Sequence, residues 1–278
     1  MRTHYVIGTD GAIDPADRGL AYGDGLFETM AVRGGVVLRL DMHLDRLRSG
    51  CARLAIDAPD LHELRQKIDS AVADTGRGTL KLILTRGSGP RGYTPPASPV
   101  LTVAIQAIAD KSPIAAAIAV VTLDERLAEN EKLAGIKHLC RLEQVLGRLE
   151  LKDRVADEGL MLSTSGDVIG GTSRNLFAVI GQRIVTPDLS RAGIAGVMRR
   201  AVLEQAETLG IESEVRAMRL NEISQADEIF MTNALVGIQT VARFDGVPVG
   251  SRGMAGRLSA ALESEPGNSP SRAGSSDA

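Results

Sequence analysis

The sequence contains no tryptophan and few other aromatic residues. Aromatic side chains make up 3% of its 278 residues. Proteins that bind single-stranded nucleic acids without sequence preference use aromatic side chains as stacking platforms. The scarcity of these side chains argues against that function.

Cysteine is nearly absent as well, since the sequence has only Cys51 and Cys140. Disulfide-stapled secreted domains carry four or more cysteines, so no disulfide framework is implied, and we expect a reducing, cytoplasmic compartment. The formal net charge is only −3. This charge gives no reason to expect nucleic acid or an anionic membrane as a partner.

Long hydrophobic runs are also missing. A membrane-spanning helix needs about 20 consecutive apolar residues, and no segment reaches that length. The first residues, MRTHYVIGTDGAIDPADRG, lack the apolar core of a signal peptide, so we expect none. His43 and His138 have no Cys, Asp or Glu partner at metal-ligand spacing, so no metal site is expected.

The composition is that of a soluble globular protein, with 44% hydrophobic and 24% charged residues. Two apolar, β-rich runs flank the segment DKSP, where Pro113 and polar residues interrupt both periodicities. We therefore predict an α+β fold with two domains, a small N-terminal one over 1–110 and a larger one over 111–262. The tail 263–278 is rich in Ser, Pro and Gly and is predicted to be disordered.

Apolar periodicity predicts the main helices and strands. Leu40, Leu44, Leu47, Cys51 and Leu54 recur every three or four residues, as on one face of a helix. GIAGVMRRAVLEQAETLG predicts a helix ending at Gly210, and NLFAVIGQRIVTP predicts a hairpin turning at GQ. Short apolar runs predict further strands at VVLRL, TLKLILTRG, VLTVAIQAIA, AAIAVVTL, GLMLST and ADEIFMTNA.

Lys137 lies in KLAGIKHLCRLEQVLGRLELKDR, where two interpretations compete. Leu139, Leu142, Leu146 and Leu149 form one helical stripe, and Lys137 falls on another face. From this spacing alone, a solvated lysine is the more common outcome. The preceding LAGI is small and apolar, however, so Lys137 stands at the junction between a buried segment and the predicted helix start.

Other segments could bind anions. In RAGIAGVMRR, Gly193 and Gly196 stand where a loop becomes a helix, and the unused N–H groups of a helix start attract anions. Taken alone, simple flexible entry to the helix is the commoner explanation. TRGSGPRGYTPP carries Arg86 and Arg91, which suit carboxylate recognition or are solvated. Arg46 lies beside an apolar helix stripe, facing a cleft or the solvent.

Seven motifs follow one another over residues 1–250 of the chain. They are DRGLAYGDGLFETMAVRGG, HLDRL, TRGSGPRGY, LAGIKHLCRLEQVL, GTSRNLF, AGIAGVMRR and FMTNALVGI. Taken together, these motifs resemble class IV aminotransferase-like (fold type IV) pyridoxal-phosphate enzymes, in which they occur in the same order. RGSGPRGY and LAGIKHLCRLEQVL look most like the aminodeoxychorismate lyases of that family.

The resemblance implies a fold and a cofactor. The fold would be that of D-amino-acid aminotransferase, a homodimer with pyridoxal 5′-phosphate held between the small N-terminal and the larger C-terminal domain. Lys137 matches the lysine that forms the Schiff base, and desolvation by LAGI would lower its pKa. Arg46, the backbone amides of Ile194 and Ala195, and Asn233 match the contacts to the cofactor phosphate.

The resemblance also implies an activity. Lyases of this type convert 4-amino-4-deoxychorismate to 4-aminobenzoate and pyruvate, a step toward folate. Arg91, with Tyr93, would hold a substrate carboxylate, and Lys137 would transfer protons.

This sequence departs from the family at two positions. Gly170 stands where the family usually has a glutamate that pairs with the cofactor's pyridinium nitrogen, and Cys140 stands where the lyases commonly have asparagine. Two alternatives follow. One is a D-amino-acid or branched-chain aminotransferase on the same scaffold. The other is a cofactor-binding remnant with little turnover.

Overall fold

The computed structural model describes residues 2–8, 11–110 and 113–264. It divides into two compact units. The N-terminal unit contains the described residues up to Asp110, together with Glu263 and Ser264; the C-terminal unit contains residues 113–262. Within the described ranges, no helix is long and apolar enough to cross a membrane.

The N-terminal unit is built on a five-stranded sheet with the order β1-β5-β4-β2-β3. β1 runs parallel to β5, and the other neighbours are antiparallel. The strands are β1 Thr3–Ile7, β2 Gly25–Arg33, β3 Val36–Val37, β4 Arg77–Thr85 and β5 Leu101–Ala109, and the helices are α1 Arg18–Tyr22, α2 Leu40–Arg53 and α3 Leu61–Val72.

The predicted helix with the apolar stripe is confirmed as α2, which packs against β2. Leu44, Leu47 and Cys51 are buried on its inner face. The predicted strand VVLRL is only partly right, because β3 stops at Val37. Arg39 adopts a left-handed conformation with φ of 54° and directs the chain into α2.

The C-terminal unit contains a nine-stranded sheet, ordered β11-β10-β9-β12-β13-β6-β7-β8, with β14 paired to β13. Its strands are β6 Ala117–Leu127, β7 Glu158–Ser163, β8 Val168–Gly171, β9 Asn175–Ile180, β10 Arg183–Pro187, β11 Ser213–Arg216, β12 Glu228–Asn233, β13 Gly237–Phe244 and β14 Val247–Pro248. Its helices are α4 Leu142–Leu151, α5 Val197–Thr208, α6 Leu220–Ser224 and α7 Met254–Glu263.

The core of the C-terminal unit lies against this sheet. Phe177 of β9 and Phe230 of β12 are fully buried, and their rings stack with centroids 4.9 Å apart. The predicted hairpin is confirmed, because β9 and β10 pair antiparallel with register from Arg183 to Ile180. The helix predicted to end at Gly210 begins later than its sequence segment, at Val197, because Gly196 is its N-cap.

The helix predicted from Lys137 onward is wrong in its start and in its buried face. α4 begins only at Leu142, so Lys137 lies in the preceding loop. Leu142, Leu146 and Leu149 are 77%, 48% and 58% exposed. α4 instead turns Gly147 inward, where an added Cβ would lie 3.2 Å from Leu123 and 3.3 Å from Met161. This close packing on β6 and β7 directs the leucines outward.

The predicted tail overlaps the end of the last helix. Glu263, its predicted first residue, is the final residue of α7. The predicted disorder of 265–278 lies outside the described residues.

Candidate active site

Backbone pairing brings the Lys137 segment beside the start of α5. Gly135 and Ile194 form an isolated parallel bridge. In this bridge the Gly135 N–H donates to the Gly193 carbonyl at 3.0 Å, and the Ala195 N–H donates to the Gly135 carbonyl at 2.9 Å. Lys137 follows Gly135 by two residues, so this pairing holds the Lys137 segment next to the loop that enters α5.

The segment LAGI is partly buried, and its two buried residues are Ala134 and Ile136. Ala134 and Ile136 are 5% and 6% exposed, whereas Lys137 itself is half-buried. Gly135 between them has φ of 80°, a left-handed conformation that favours glycine. The segment therefore places an amine, the group that a nucleophilic role requires, directly after the buried Ile136.

The start of α5 suits an anion. Gly196 is the N-cap, and among the described residues no side chain caps this helix end. A helix does not use the first N–H groups of its own backbone, and together with the helix dipole they attract phosphate. A Cβ at Gly196 would lie 2.0 Å from Oδ1 of Asn175. Only glycine therefore allows Asn175 to lie this close to the loop.

Asn175 is a residue whose role the sequence alone did not indicate. Its Nδ2 donates to the Ile194 carbonyl at 2.8 Å and so holds the loop before α5. The available signal was the motif GTSRNLF, of which Asn175 is the polar residue leading into buried β9.

The Ala195 amide has a partner within the protein. Because its N–H donates to Gly135, Ala195 contributes to the pairing that fixes the loop. The amides that the helix itself leaves unused begin at its N-cap, Gly196. The predicted anion contacts at Ile194 and Ala195 lie directly before the amides that the helix leaves unused.

Asn233 ends β12 beside this loop, since its neighbour Thr232 pairs with Asn175. Oδ1 of Asn233 accepts hydrogen bonds from the backbone N–H groups of Leu235 and Val236, both at 3.0 Å. The oxygen closes the turn between β12 and β13. Since the oxygen accepts these two bonds, the amide nitrogen is the part of this side chain that can donate a hydrogen bond to a ligand.

Gly170 lies on β8, next to the same loop. The side chain of its neighbour Ile169 packs closely on Gly193 of this loop. A Cβ added to Gly193 would lie only 2.5 Å from Ile169. Gly170 has φ of 157°, and a Cβ here would lie 2.9 Å from the Arg174 carbonyl oxygen. The backbone as folded therefore has no room for a side chain at this position.

A buried carboxylate organises the connection between β8 and β9. Glu158 is fully buried and accepts hydrogen bonds from the Thr172 N–H at 3.0 Å and the Ser173 hydroxyl at 2.8 Å. It also forms an ion pair with Arg174. This residue was missed, although a glutamate opening the apolar run EGLMLS was a signal.

The residues after Lys137 form their own contact. The Nε of Arg141 donates to the His138 carbonyl at 3.0 Å, and Nη2 of Arg141 meets Nε2 of the His138 ring. Burial and then the charge of Arg141 lower the pKa of His138 to about 4. Cys140 is exposed, whereas Cys51 is buried and its pKa is raised to about 11 by burial.

Arg46, in the N-terminal unit, faces a buried carboxylate. Its Nε and Nη2 donate to the two oxygens of Glu28 at 2.8 and 2.5 Å, and Nδ1 of His43 lies 2.6 Å from Glu28 Oε2. Burial by itself would raise the pKa of Glu28. The charge of Arg46 and the hydrogen bond with His43 outweigh it, so this pKa is lowered. Arg46 is therefore not a solvated residue.

The loop between β4 and β5 contains two arginines with different surroundings. Arg86 is buried, where it pairs with Asp24 at 2.8 Å and donates to the carbonyls of Leu54 and Ala55, each at 2.8 Å. Its interpretation as a carboxylate-recognition residue is wrong, because internal partners hold it. Arg91 and Tyr93 are exposed, Tyr93 by 84%.

The structure thus brings together Lys137, Gly170, Ile194, Ala195 and Asn233 within the C-terminal unit. Arg46, Arg91 and Tyr93 belong to the N-terminal unit.

Comparison with known proteins adds to this geometry. The family described as Amino-transferase class IV matches residues 25–244. An aminodeoxychorismate lyase from Vibrio harveyi is 32% identical over 230 residues, covering 81% of this chain and 85% of that protein. A D-alanine aminotransferase from Bacillus licheniformis is 30% identical over 249 residues, covering 86% of each.

A similar fold has been solved by crystallography. The crystal structure of 4-amino-4-deoxychorismate lyase from Pseudomonas aeruginosa superposes with a TM-score of 0.86 at 42% identity, covering 92% of this chain and 96% of that one. The predicted α+β, fold type IV architecture is confirmed.

Proposed function

The chain belongs to the class IV aminotransferase family, and from that membership we propose that it is a lyase converting 4-amino-4-deoxychorismate to 4-aminobenzoate and pyruvate. Pyridoxal 5′-phosphate is the cofactor of this family. Similarity to the lyases of Pseudomonas aeruginosa and Vibrio harveyi, at 42% and 32% identity, supports this reaction.

One observation carries the proposal: the bridge between Gly135 and Ile194. It fixes the segment bearing a half-buried amine, Lys137, against a helix start that no side chain in the described part of the chain caps. A cofactor with an aldehyde and a phosphate needs these two features, an amine nucleophile and an anion site. The residues present therefore fit pyridoxal phosphate.

Several residues would hold this cofactor. Lys137 would attach it covalently, and the N-terminus of α5, with the Asn233 amide and Arg46, would bind its phosphate. When bound, the cofactor supplies an electron sink for the carbon that carries the substrate amine.

The proton transfers fall to Lys137. Its amine would remove the proton from the amine-bearing ring carbon of the substrate, as general base. The bond between the ring and the enolpyruvyl oxygen then breaks, the ring becomes aromatic, and the leaving group takes up a proton to give pyruvate. Lys137 would return that proton as general acid. Arg91, with Tyr93, would orient a substrate carboxylate.

Gly170 favours a lyase over a transaminase. Without a carboxylate at this position, a protonated pyridine nitrogen has one stabilising partner fewer. Transamination depends on that electron sink throughout, whereas aromatisation supplies much of the driving force for the lyase reaction.

The second candidate is a D-amino-acid aminotransferase, favoured by the 30% identity to the Bacillus licheniformis enzyme. A branched-chain aminotransferase and a cofactor-binding remnant with little turnover complete the alternatives.

We further propose a cytoplasmic homodimer that acts on a small molecule. The exposed leucine face of α4, formed by Leu142, Leu146 and Leu149, supports burial against a second copy. A sequence with only two cysteines is consistent with a reducing compartment.

The products of the reaction test the proposal. Purified protein loaded with pyridoxal phosphate is incubated with 4-amino-4-deoxychorismate and no keto acid, and pyruvate and 4-aminobenzoate are measured. We expect both in equal amounts, and none from Lys137→Ala. Turnover of D-alanine only when 2-oxoglutarate is added, without pyruvate from aminodeoxychorismate, would establish the transaminase instead.

A further inference from the structure

The loop between β4 and β5 is held by an arginine from a distant motif. Arg18, in DRGLAYGDG, is 4% exposed. Its Nη1 donates to the carbonyls of Gly92 and Thr94 at 3.0 and 3.3 Å, and its Nη2 donates to the carbonyl of Tyr93 at 2.8 Å. One guanidinium therefore binds three consecutive carbonyls of the loop.

A second contact holds the same stretch. The Gly92 N–H donates to the Tyr22 hydroxyl at 3.2 Å, and the rings of Tyr22 and Tyr93 lie 5.4 Å apart, tilted by 60°. The Arg18 guanidinium lies 5.0 Å from the centroid of the Tyr22 ring. Arg18 and Tyr22 are the first and last residues of α1, so one short helix supplies both contacts.

The position of Arg18 is itself fixed. Asp17 caps α1 by accepting the Gly19 N–H at 2.7 Å and accepts the Thr85 hydroxyl at 2.8 Å. Nε of Arg18 donates to Oδ2 of Asp24 at 2.8 Å. Burial would raise the pKa of Asp24, but hydrogen bonds from Arg86 and Arg18 outweigh it and lower this pKa, so the carboxylate stays ionised.

These contacts engage the loop backbone and leave its side chains outward. Arg91 is exposed, and Tyr93 is 84% exposed although its carbonyl is bound. Holding a loop in one conformation before a ligand arrives reduces the entropy lost on binding. A backbone fixed in this way with exposed side chains is suited to presenting those side chains to a ligand.

We propose that Arg18 is a positioning residue, which holds the backbone of residues 92–94 so that Arg91 and Tyr93 are ready to receive the carboxylate of the substrate. The substrate part rests on the function proposed above. Arg18 itself contacts backbone carbonyls and Asp24, so it acts through the loop.

Arg86 provides a matched control. It donates to the same Asp24 carboxylate, but its other donors go to the carbonyls of Leu54 and Ala55 rather than to residues 92–94. Arg18→Met and Arg86→Met each remove one buried guanidinium from Asp24. Both should lower the melting temperature, and only Arg18→Met should free the loop.

Two measurements on the cofactor-loaded enzyme separate these effects. KM for aminodeoxychorismate should rise about tenfold in Arg18→Met, whereas kcat should change much less. In this variant the substrate must order the loop as it binds, and the entropy lost in ordering it weakens binding. In Arg86→Met the KM should stay close to that of the wild type. Arg18→Lys, which restores the charge beside Asp24 but not the three carbonyl contacts, should behave like Arg18→Met.

The loop itself is followed with trypsin, which cleaves after Arg91. Because the Gly92 carbonyl and N–H are both held, cleavage there should be slow in the wild type and in Arg86→Met. It should be at least several-fold faster in Arg18→Met, read as the fragment that begins at Gly92.

Equal cleavage rates in the two methionine variants would overturn the proposal, and so would faster cleavage with an unchanged KM. Absence of lyase turnover in the wild type is a different result. It would refute the proposed reaction, while the cleavage rates would still decide whether Arg18 holds the loop.

Discussion

Replacing Arg46 with alanine would leave the Glu28 carboxylate buried with one partner fewer. Arg46 makes two hydrogen bonds to this carboxylate, whose side chain is only 3% exposed, and His43 supplies another. Removing one partner of a buried ion pair costs about 3–5 kcal/mol, because the remaining charge is uncompensated. We therefore expect Arg46→Ala to lose stability on this scale before any cofactor is considered.

This loss in the free energy of unfolding is measured by urea denaturation without added cofactor, followed by circular dichroism. If the two units unfold separately, the transition of the N-terminal unit is the one to compare. The double variant Glu28→Gln/Arg46→Ala removes the charge as well as its partner. It should be more stable than Arg46→Ala alone, by about 1–3 kcal/mol, since no buried charge remains.

The pH dependence of stability tests the same reasoning independently. In the wild type the pKa of Glu28 is lowered, so its contribution to stability is present above about 4.5, the usual value, and is lost as the pH falls through the folded-state pKa. In Arg46→Ala, burial dominates and raises this pKa. The stability difference between wild type and variant should then narrow as the pH falls from 7 toward 4.

Equal stability of Arg46→Ala and wild type, or a double variant less stable than Arg46→Ala, would refute this reasoning. The double variant also serves the cofactor question. If Arg46 binds phosphate as the resemblance implies, titration with pyridoxal phosphate should show affinity weaker by about ten to a hundred times in both variants.

Three further predictions follow from the C-terminal unit. Lys137→Ala should lose the visible absorbance band of the bound cofactor together with activity, and a band that persists and is fixed by borohydride at another residue would contradict the assignment. Gly170→Glu should be destabilised by about 1–3 kcal/mol in urea, since its Cβ would meet the Arg174 carbonyl at 2.9 Å; unchanged stability would show that the backbone adjusts freely. His138 should stay neutral in NMR titrations down to about pH 5 because its pKa is about 4. The unfolded chain takes up this proton near pH 6.5, so His138 lowers stability as the pH falls from about 6.5 to about 4, and titration near 6.5 in the folded protein would be the opposite result.

The sequence predicted elements well where the apolar pattern matches the burial. The apolar stripe of α2 matches its one buried face, and the continuous apolar runs of β9 and β10 match strands that are buried along most of their length. Periodicity failed at α4. Its leucines form one apolar stripe, but the helix packs on β6 and β7 through a different face, the one that carries Gly147. A stripe identifies an apolar face but does not say what covers it.

The candidate site could be predicted through its segments but not through its contacts. LAGI before Lys137 and the glycines before α5 were visible in the sequence. That Gly135 pairs with Ile194, and that Arg46 pairs with Glu28 eighteen residues away, depends on pairing across the fold. Asn175 and Glu158 each stand beside an apolar run, which was a signal, but this position does not indicate which groups they bind.

The unequal burial of the two cysteines has a practical consequence for spectroscopy. Cys51 is fully buried and its thiol is poorly ionised at neutral pH, whereas Cys140 is exposed three residues after Lys137. A maleimide dye reacts with thiolates that it can reach. The unmodified sequence should therefore accept a single fluorophore at Cys140, where its emission would report events at the neighbouring lysine without any engineered cysteine.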